Sequence, residues 1–152
     1  MSPPYDKSEH FVDGYLLYLM AVASERASAD FHASVRDAGL RVPEWRVLAC
    51  LVDQDALMIT ELAEKCLLEQ SRMTKTVDQM HKRGFVERVP DMSDRRRVRV
   101  RLTRQGRGLA ANLVARAKSH EDRLLATLAD TDAARIKPVL QALLNALKPP
   151  EQ

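Results

Sequence analysis

The chain is expected to be mainly α with a small β-hairpin wing, and three observations carry that expectation. Two short helical patterns follow one another from Thr60 to Arg83, ITELAEKC and then EQSRMTKTVDQMHKR. Two β-rich segments come next, FVERVP and RVRVRL, joined by an Arg-rich turn. Long apolar helical patterns occupy both chain ends. Two helices and then a hairpin make a winged helix-turn-helix, and the terminal helices read as its dimerisation helices. The expected layout is one unit over 1–152, with the winged helix-turn-helix at 40–107 and dimerisation helices at 7–38 and 108–148.

Charge locates the function before any fold is assumed. Residues 72–107 hold Arg72, Lys75, Lys82, Arg83, Arg88, Arg95, Arg96, Arg97, Arg99, Arg101, Arg104 and Arg107 against Asp78, Glu87, Asp91 and Asp94. That segment is +8, so the remainder must be −5 to give the whole-chain +3. Positive charge gathered into one segment of an otherwise acidic chain is the electrostatic footprint of a polyanion binder. The bland alternative is a solvated basic face, although like charges so closely spaced repel unless a partner neutralises them.

At 152 residues, 45% hydrophobic and 30% charged, the chain has the make-up of an ordinary soluble domain able to bury a core. No apolar run approaches the ~18 residues of a membrane span. The N-terminal MSPPYDKSEH lacks the basic start and apolar stretch of a signal peptide, so the expected setting is the cytoplasm. Cys50 and Cys66 sit in apolar helical patterns rather than in a disulfide framework, and read as small buried hydrophobes.

Phe11, Tyr15, Tyr18, Val22, Ala29 and Val35 recur at helical spacing, so Lys7 to Asp37 reads as one long helix stopped by Gly39. Leu16, Leu17, Leu19 and Met20 add a second apolar face, which asks for cover by another subunit. Pro43 suits the first turn of the next helix. Met58-Ile59 is a short extended lead-in, and Thr60 is the expected N-cap of the following helix, lined by Leu62, Ala63 and Cys66.

The second helix of the pair spans about Glu69 to Arg83, with Gly84 as its C-cap. Met73, Val77 and Met80 fall within about 60° on a helical wheel and pack inward. The opposite face carries Ser71, Lys75, Asp78 and Lys82, flanked by Arg72, Thr74 and Gln79. Arg and Lys reach guanine acceptors, Gln reaches adenine, and Ser and Thr reach bases or phosphates. The N-terminal half of a recognition helix does most of the reading, so Gln70, Ser71, Arg72, Thr74 and Lys75 are the base-contact candidates. On this helix alone a merely solvated polar face fits as well.

In the wing, Phe85, Val86 and Val89 form one strand, and Val98, Val100 and Leu102 alternate with Arg97, Arg99 and Arg101 in the other. The turn projects Arg95, Arg96 and Arg97, which on a thin hairpin can enter a narrow minor groove. Asp94 beside them is expected to orient an arginine by a bidentate pair. Thr103 is the N-cap candidate of a long helix carrying Leu109, Leu113, Leu124 and Leu128. A final helix carries Ile136, Val139, Leu140, Leu144 and Leu147 and is ended by Pro149-Pro150.

Taken together, ITELAEKC, SRMTKTVDQMHKRGFVER and DMSDRRRVRVRLTRQGR resemble the MarR family of winged helix-turn-helix transcriptional regulators, over nearly the whole chain. The Asp-Arg-Arg followed by Leu-Thr and Gly is the most distinctive part. The resemblance implies a homodimeric repressor on a pseudo-palindromic operator, released by a small, often phenolic or aromatic-acid, ligand. It implies that Ser71, Arg72, Thr74 and Lys75 face the major groove and that Arg96 enters the minor groove. It also places a ligand pocket between the dimerisation helices and the winged region, with Tyr15, Tyr18, His32, Trp45 and Arg46 as liners and Arg46 as the cation for an anionic ligand.

Two departures stand out. Many relatives carry Gly in the helix-helix turn, where this chain has Cys66-Leu67-Leu68, so a left-handed residue there is disfavoured. Pro138 lies inside the final helical pattern, where it should kink the helix. The histidines show no metal-ligand spacing, and no phosphate loop, nucleophile elbow or catalytic carboxylate pair appears, so neither metal, cofactor nor enzyme activity is expected. Two other readings stay open: a winged-helix module for protein-protein contact, and a redox-sensing regulator using Cys50 or Cys66.

Overall fold

The computed structural model describes residues 10–149, so Pro3-Pro4, Pro150 and the expected helix start at Lys7 lie outside the described residues. The chain divides into two compact units, Met1–Arg116 and Ala117–Gln152. The first holds α1 (Phe11–Gly14), α2 (Leu16–Asp37), α3 (Val42–Leu51), β1 (Leu57–Met58), α4 (Ile59–Lys65), α5 (Gln70–Lys82), β2 (Val86–Pro90) and β3 (Val98–Leu102). The long helix α6 (Arg104–Leu128) follows, and α7 (Ile136–Ala146) comes after a short 3-10 turn at Asp132–Arg135.

The core of the first unit is the apolar set the helical spacings pick out. Val35, Val47, Leu48, Leu51, Leu62, Met73, Val77, Met80 and Leu113 are fully buried. Each such side chain stabilises the fold by roughly 1.5–3 kcal/mol relative to exposure. The hairpin is a three-stranded antiparallel sheet in the order β1-β3-β2, with Val86 opposite Leu102 and Leu57 opposite Val100. Val100 and Leu102 face the core, and Phe85 is buried just ahead of β2 rather than within it.

Several local expectations need correction. The expected single N-terminal helix is broken at Tyr15, whose ψ of 116° is extended, immediately after Gly14, which costs a helix about 1 kcal/mol relative to alanine. Gly39 does stop α2, at φ 78°. The N-cap of α4 is Met58, not Thr60, because the Glu61 carboxylate accepts the Met58 N–H at 2.7 Å and starts the helix earlier. The extended lead-in is accordingly Leu57–Met58, paired with β3. Pro138 falls in the first turn of α7, which begins at Ile136, where backbone N–H groups have no helical acceptor and proline is tolerated.

Leu67 adopts the left-handed conformation after all, at φ 56°, with its side chain 85% exposed. The Leu68 N–H bonds to Ala63 O at 2.9 Å and the Leu67 N–H to Glu64 O at 3.2 Å, the Schellman pattern that closes α4. Those two bonds hold a leucine where about 1–2 kcal/mol of backbone strain falls on it. Leu67→Gly relieves the strain at a loss of chain entropy of about 0.5–1 kcal/mol. It should therefore raise stability by about 0.5–1 kcal/mol in urea unfolding; a midpoint that stays put or falls would show that no strain resides there.

The second unit is built differently. Thr131 caps the 3-10 turn through its hydroxyl, which accepts the Ala133 N–H at 3.2 Å. Lys137 pairs with Glu121 at 2.9 Å. Val139, Leu140 and Leu144 remain exposed along α7, as does Leu147 at its C-cap.

Candidate nucleic-acid interface

α5 starts after Glu69 and ends at Lys82, with Arg83 as its C-cap and Gly84 at φ 77° turning the chain into the wing. Its inner stripe of Met73, Thr76, Val77 and Met80 is buried, and the Thr76 hydroxyl donates to Arg72 O at 2.9 Å. Gln70, Ser71, Arg72 and Lys75 are exposed on the outer side. Thr74 is half-buried and its hydroxyl donates to Gln70 O at 3.0 Å. Asp78, one turn beyond Lys75 on the same face, pairs with Arg88 of β2, so the polar face of α5 is continuous with the wing.

The wing turn is organised by two aspartates. Asp94 Oδ1 accepts the Arg96 N–H at 3.0 Å, while Oδ2 lies 3.7 Å from the Arg97 Nε. This corrects the expected bidentate pair: one oxygen is committed to the backbone, and only one guanidinium nitrogen is engaged. Asp91, which sequence reasoning passed over, is buried. Its Oδ1 accepts the Ser93 N–H and hydroxyl, both at 3.2 Å, and lies 3.4 Å from Arg99 Nε. The Ser93 N–H first, then the Ser93 hydroxyl and Arg99, hold this carboxyl below the usual range against the opposing effect of desolvation. The repeated Asp-x-Ser and Asp-x-Arg spacing of DMSDRR is the signal that could have revealed both turns.

The basic residues therefore fall into two groups. Arg83, Arg88, Arg97, Arg99 and Arg101 are committed to carboxylates within the fold. Arg72, Lys75, Lys82, Arg95, Arg96, Arg104 and Arg107 have no ion-pair partner among the described residues, and all are exposed. Arg83 does the most structural work: it reaches Gly39 O at 2.9 Å and Glu44 at 3.3 Å, and stacks 4.8 Å over the Phe85 ring. Glu44 is 2% exposed and also accepts the Arg41 N–H at 2.8 Å, so one buried carboxylate caps α3 and holds the end of α5. A Glu in the first turn after Pro43 was the available hint.

The wing is fixed to α6 at its base. The Thr103 hydroxyl donates to Gly84 O at 2.6 Å and accepts the Gly106 N–H at 3.0 Å, so Thr103 is a cap, as its position suggested. A Cβ on Gly106 would lie 2.0 Å from Phe85 O, so only glycine lets α6 approach this closely.

The five ligand-liner candidates do not converge within one chain. Tyr15 stacks on Phe11 at 5.0 Å, and Tyr18 is exposed nearby. His32 lies fourteen positions beyond Tyr18 on α2, roughly 21 Å along the axis at 1.5 Å per residue. At that end the Trp45 ring meets Phe31 edge-on at 5.0 Å, and Arg46 donates to Cys66 O at 3.3 Å. Two wing cavities, of about 480 and 470 Å³, are lined respectively by Met58, Ile59, Thr60, Arg97 and Val98, and by residues of the 89–95 turn with Arg101; neither includes these candidates.

The chain's likeness to known proteins agrees with this geometry. The MarR family model matches residues 40–98, from the end of the first long helix to the wing. A MarR family transcriptional regulator of known structure from Silicibacter pomeroyi DSS-3 is 65% identical, with a TM-score of 0.86 over 91% of this chain and 99% of that one. The chain belongs to the MarR family. MarR proteins are DNA-binding transcriptional regulators, not enzymes, so the exposed cations of α5 and the wing belong to a DNA-binding protein.

Three further likenesses are more distant. The HTH-type transcriptional repressor NicR of Pseudomonas putida is 24% identical over 145 residues, 95% of this chain and 92% of NicR. A structure of Bordetella bronchiseptica BpsR, whose DNA binding is regulated by 6-hydroxynicotinic acid, is 24% identical, with a TM-score of 0.75 over 92% of this chain and 98% of that one. At that identity BpsR shares the fold. The match to the regulator TtmR of Methylorubrum extorquens is 24% identical over 67% of this chain but spans only about half of TtmR, 52%. Among the described residues no helix is long and apolar enough to cross a membrane.

Proposed function

We propose that this MarR-family regulator is a homodimeric repressor that reads a pseudo-palindromic operator and lets go when a small aromatic or phenolic ligand binds. The observation that carries this reading is the sorting of charge: of the seven cations of 72–107 without an ion-pair partner among the described residues, Arg72, Lys75 and Lys82 lie on α5 and Arg95 and Arg96 at the wing tip. Gln70, Ser71, Arg72, Thr74 and Lys75 address the major groove, and Arg95, Arg96 and Arg97, set by Asp94, address the minor groove. The winged region over 40–107 supplies these contacts, and the helices of 7–38 and 108–148 supply the dimer.

The dimer draws support from apolar surface that one chain leaves bare. Phe11, Leu16 and Leu17 are each more than half exposed, and so are Val139 and Leu144 on α7 and Leu147 at its C-cap. A soluble protein seldom leaves contiguous faces of that kind uncovered. For the ligand, the regulation of BpsR by an aromatic acid is the precedent. The Phe31-Trp45 pair beside His32 and Arg46 is the favoured binding region.

Fluorescence anisotropy with DNA from upstream of the protein's own gene tests the reading. Preference over scrambled DNA by about a thousandfold or more at physiological salt is the expected result. Equal, weak binding to both would instead favour a module for protein-protein contact. Titrating the complex with aromatic acids and phenols should release the DNA; if none does, ligand gating fails while DNA binding stands. Lys75→Ala should relax base preference at one position per half-site, a loss of about 1–3 kcal/mol. Equal weakening on every sequence would make Lys75 a phosphate contact.

A further inference from the structure

We propose that Cys50 and Cys66 form an oxidisable dithiol, in which a hydroperoxide closes an intramolecular disulfide between α3 and the turn leading into α5, and that this closure weakens DNA binding. The regulatory half rests on the DNA-binding reading above; the chemistry does not.

The two residues are sixteen positions apart, one in α3 and the other at the C-cap of α4, yet their sulfurs lie 3.8 Å from each other. Both are free thiols. Cys50 is half-buried and reachable by a small oxidant, whereas Cys66 is 1% exposed behind it. A bond between them needs the sulfurs to close from 3.8 Å to about 2.0 Å. The pair is also electronically divided. The hydrogen bond from Cys66, helped by Lys65 and opposed by desolvation, brings Cys50 from 9.0 down to about 7. The same hydrogen bond, with desolvation, pushes Cys66 up, so Cys50 is the thiol that ionises first.

That division fits a two-step oxidation. The Cys50 thiolate attacks the terminal oxygen of the hydroperoxide, the O–O bond breaks, and the alkoxide leaves with a proton as alcohol. Cys50 is then a sulfenic acid. The Cys66 sulfur attacks the Cys50 sulfur, loses its proton, and hydroxide leaves as water. Two thiols are oxidised by two electrons in total, and one peroxide is reduced to one alcohol and one water.

The position of Cys66 makes this bond consequential. It is the C-cap of α4, its carbonyl accepts Arg46, and left-handed Leu67 follows it three residues before α5 begins. Cys50 instead sits on α3 among Val47, Leu48 and Leu51, all fully buried. The packed helix resists displacement better than the exposed turn. Closing the bond therefore pulls the turn, and with it the N-terminal end of α5 where Gln70, Ser71 and Arg72 stand.

The test uses the whole protein, reduced, freed of reductant and treated with stepwise cumene hydroperoxide. Wild type should lose both titratable thiols and two hydrogens of intact mass, yield a linked Cys50–Cys66 peptide, and recover with dithiothreitol. Cys66→Ser should accumulate a sulfenic acid that dimedone traps at Cys50, and Cys50→Ser should lose thiol at least tenfold more slowly. Should either variant fail to fold, the wild-type peptide map alone decides. Wild type that keeps its thiols, or that forms only sulfinic acid or cross-links between chains, overturns the dithiol. In anisotropy, the oxidised protein should bind its upstream DNA at least tenfold more weakly than the reduced one. A disulfide that forms without that change strikes out the regulatory half. If instead the disulfide forms but the reduced protein binds no DNA, the DNA-binding reading fails and the dithiol stands.

Discussion

Arg96→Ala weakens binding to the upstream DNA by about ten- to a hundredfold, equivalent to roughly 1–3 kcal/mol, and leaves the fold as stable as before. The Arg96 side chain is exposed and has no ion-pair partner among the described residues, so its removal breaks nothing inside the protein. Only its backbone N–H is used, by Asp94, and alanine keeps that bond. Unfolding by urea should therefore agree with wild type within about 0.5 kcal/mol, the range of ordinary surface substitutions. Full affinity in the variant would take the wing tip out of the binding mechanism; lost stability would mean the wing needs this guanidinium for its own shape.

Gly106→Ala has the largest effect expected on stability, about 3 kcal/mol or more. The new methyl would lie 2.0 Å from Phe85 O and 2.9 Å from the Phe85 carbonyl carbon. Those atoms are backbone, so no side-chain rotation relieves the clash, and α6 must move off the wing base. That movement also stretches the Thr103 bonds to Gly84 and Gly106. Gly108, two residues on, is the control, since a Cβ there meets nothing within 4 Å. Gly108→Ala should be neutral or stabilising by up to about 1 kcal/mol, as helix propensity alone dictates. Equal denaturation midpoints for the two variants would contradict the packing at Gly106.

The contrast between these glycines marks what could and could not be seen in the amino-acid sequence. Elements announced by a repeating pattern were legible: Met73, Val77 and Met80 at helical spacing, and Val98, Val100 and Leu102 alternating with arginines, became α5 and β3. So were punctuated ends such as Gly39 and Gly84. Whatever depended on distance through space was not. The role of Gly106 comes from Phe85, the burial of Glu44 from its hold on Arg83, and the meeting of Cys50 with Cys66 from the packing of α3 on α4. Leu67 failed for a different reason: propensity disfavours the left-handed turn by a kcal/mol or so, and two hydrogen bonds with the packing of the following helix outweigh it. In the candidate site, composition marked the arginines as a group; it did not tell which were already neutralised.

That division of the arginines has a measurable signature in counterion release. A guanidinium already paired with a carboxylate in the free protein expels no condensed cation from the duplex unless its pair first breaks. Arg83, Arg88, Arg97, Arg99 and Arg101 are paired in this way. Within residues 72–107, the ionic-strength dependence of association then comes from Arg72, Lys75, Lys82, Arg95, Arg96, Arg104 and Arg107. With a slope of about −0.9 per neutralised phosphate, that segment of each chain adds no more than about −6 to the plot of log affinity against log salt, whereas all the basic residues of 72–107 would add about −11.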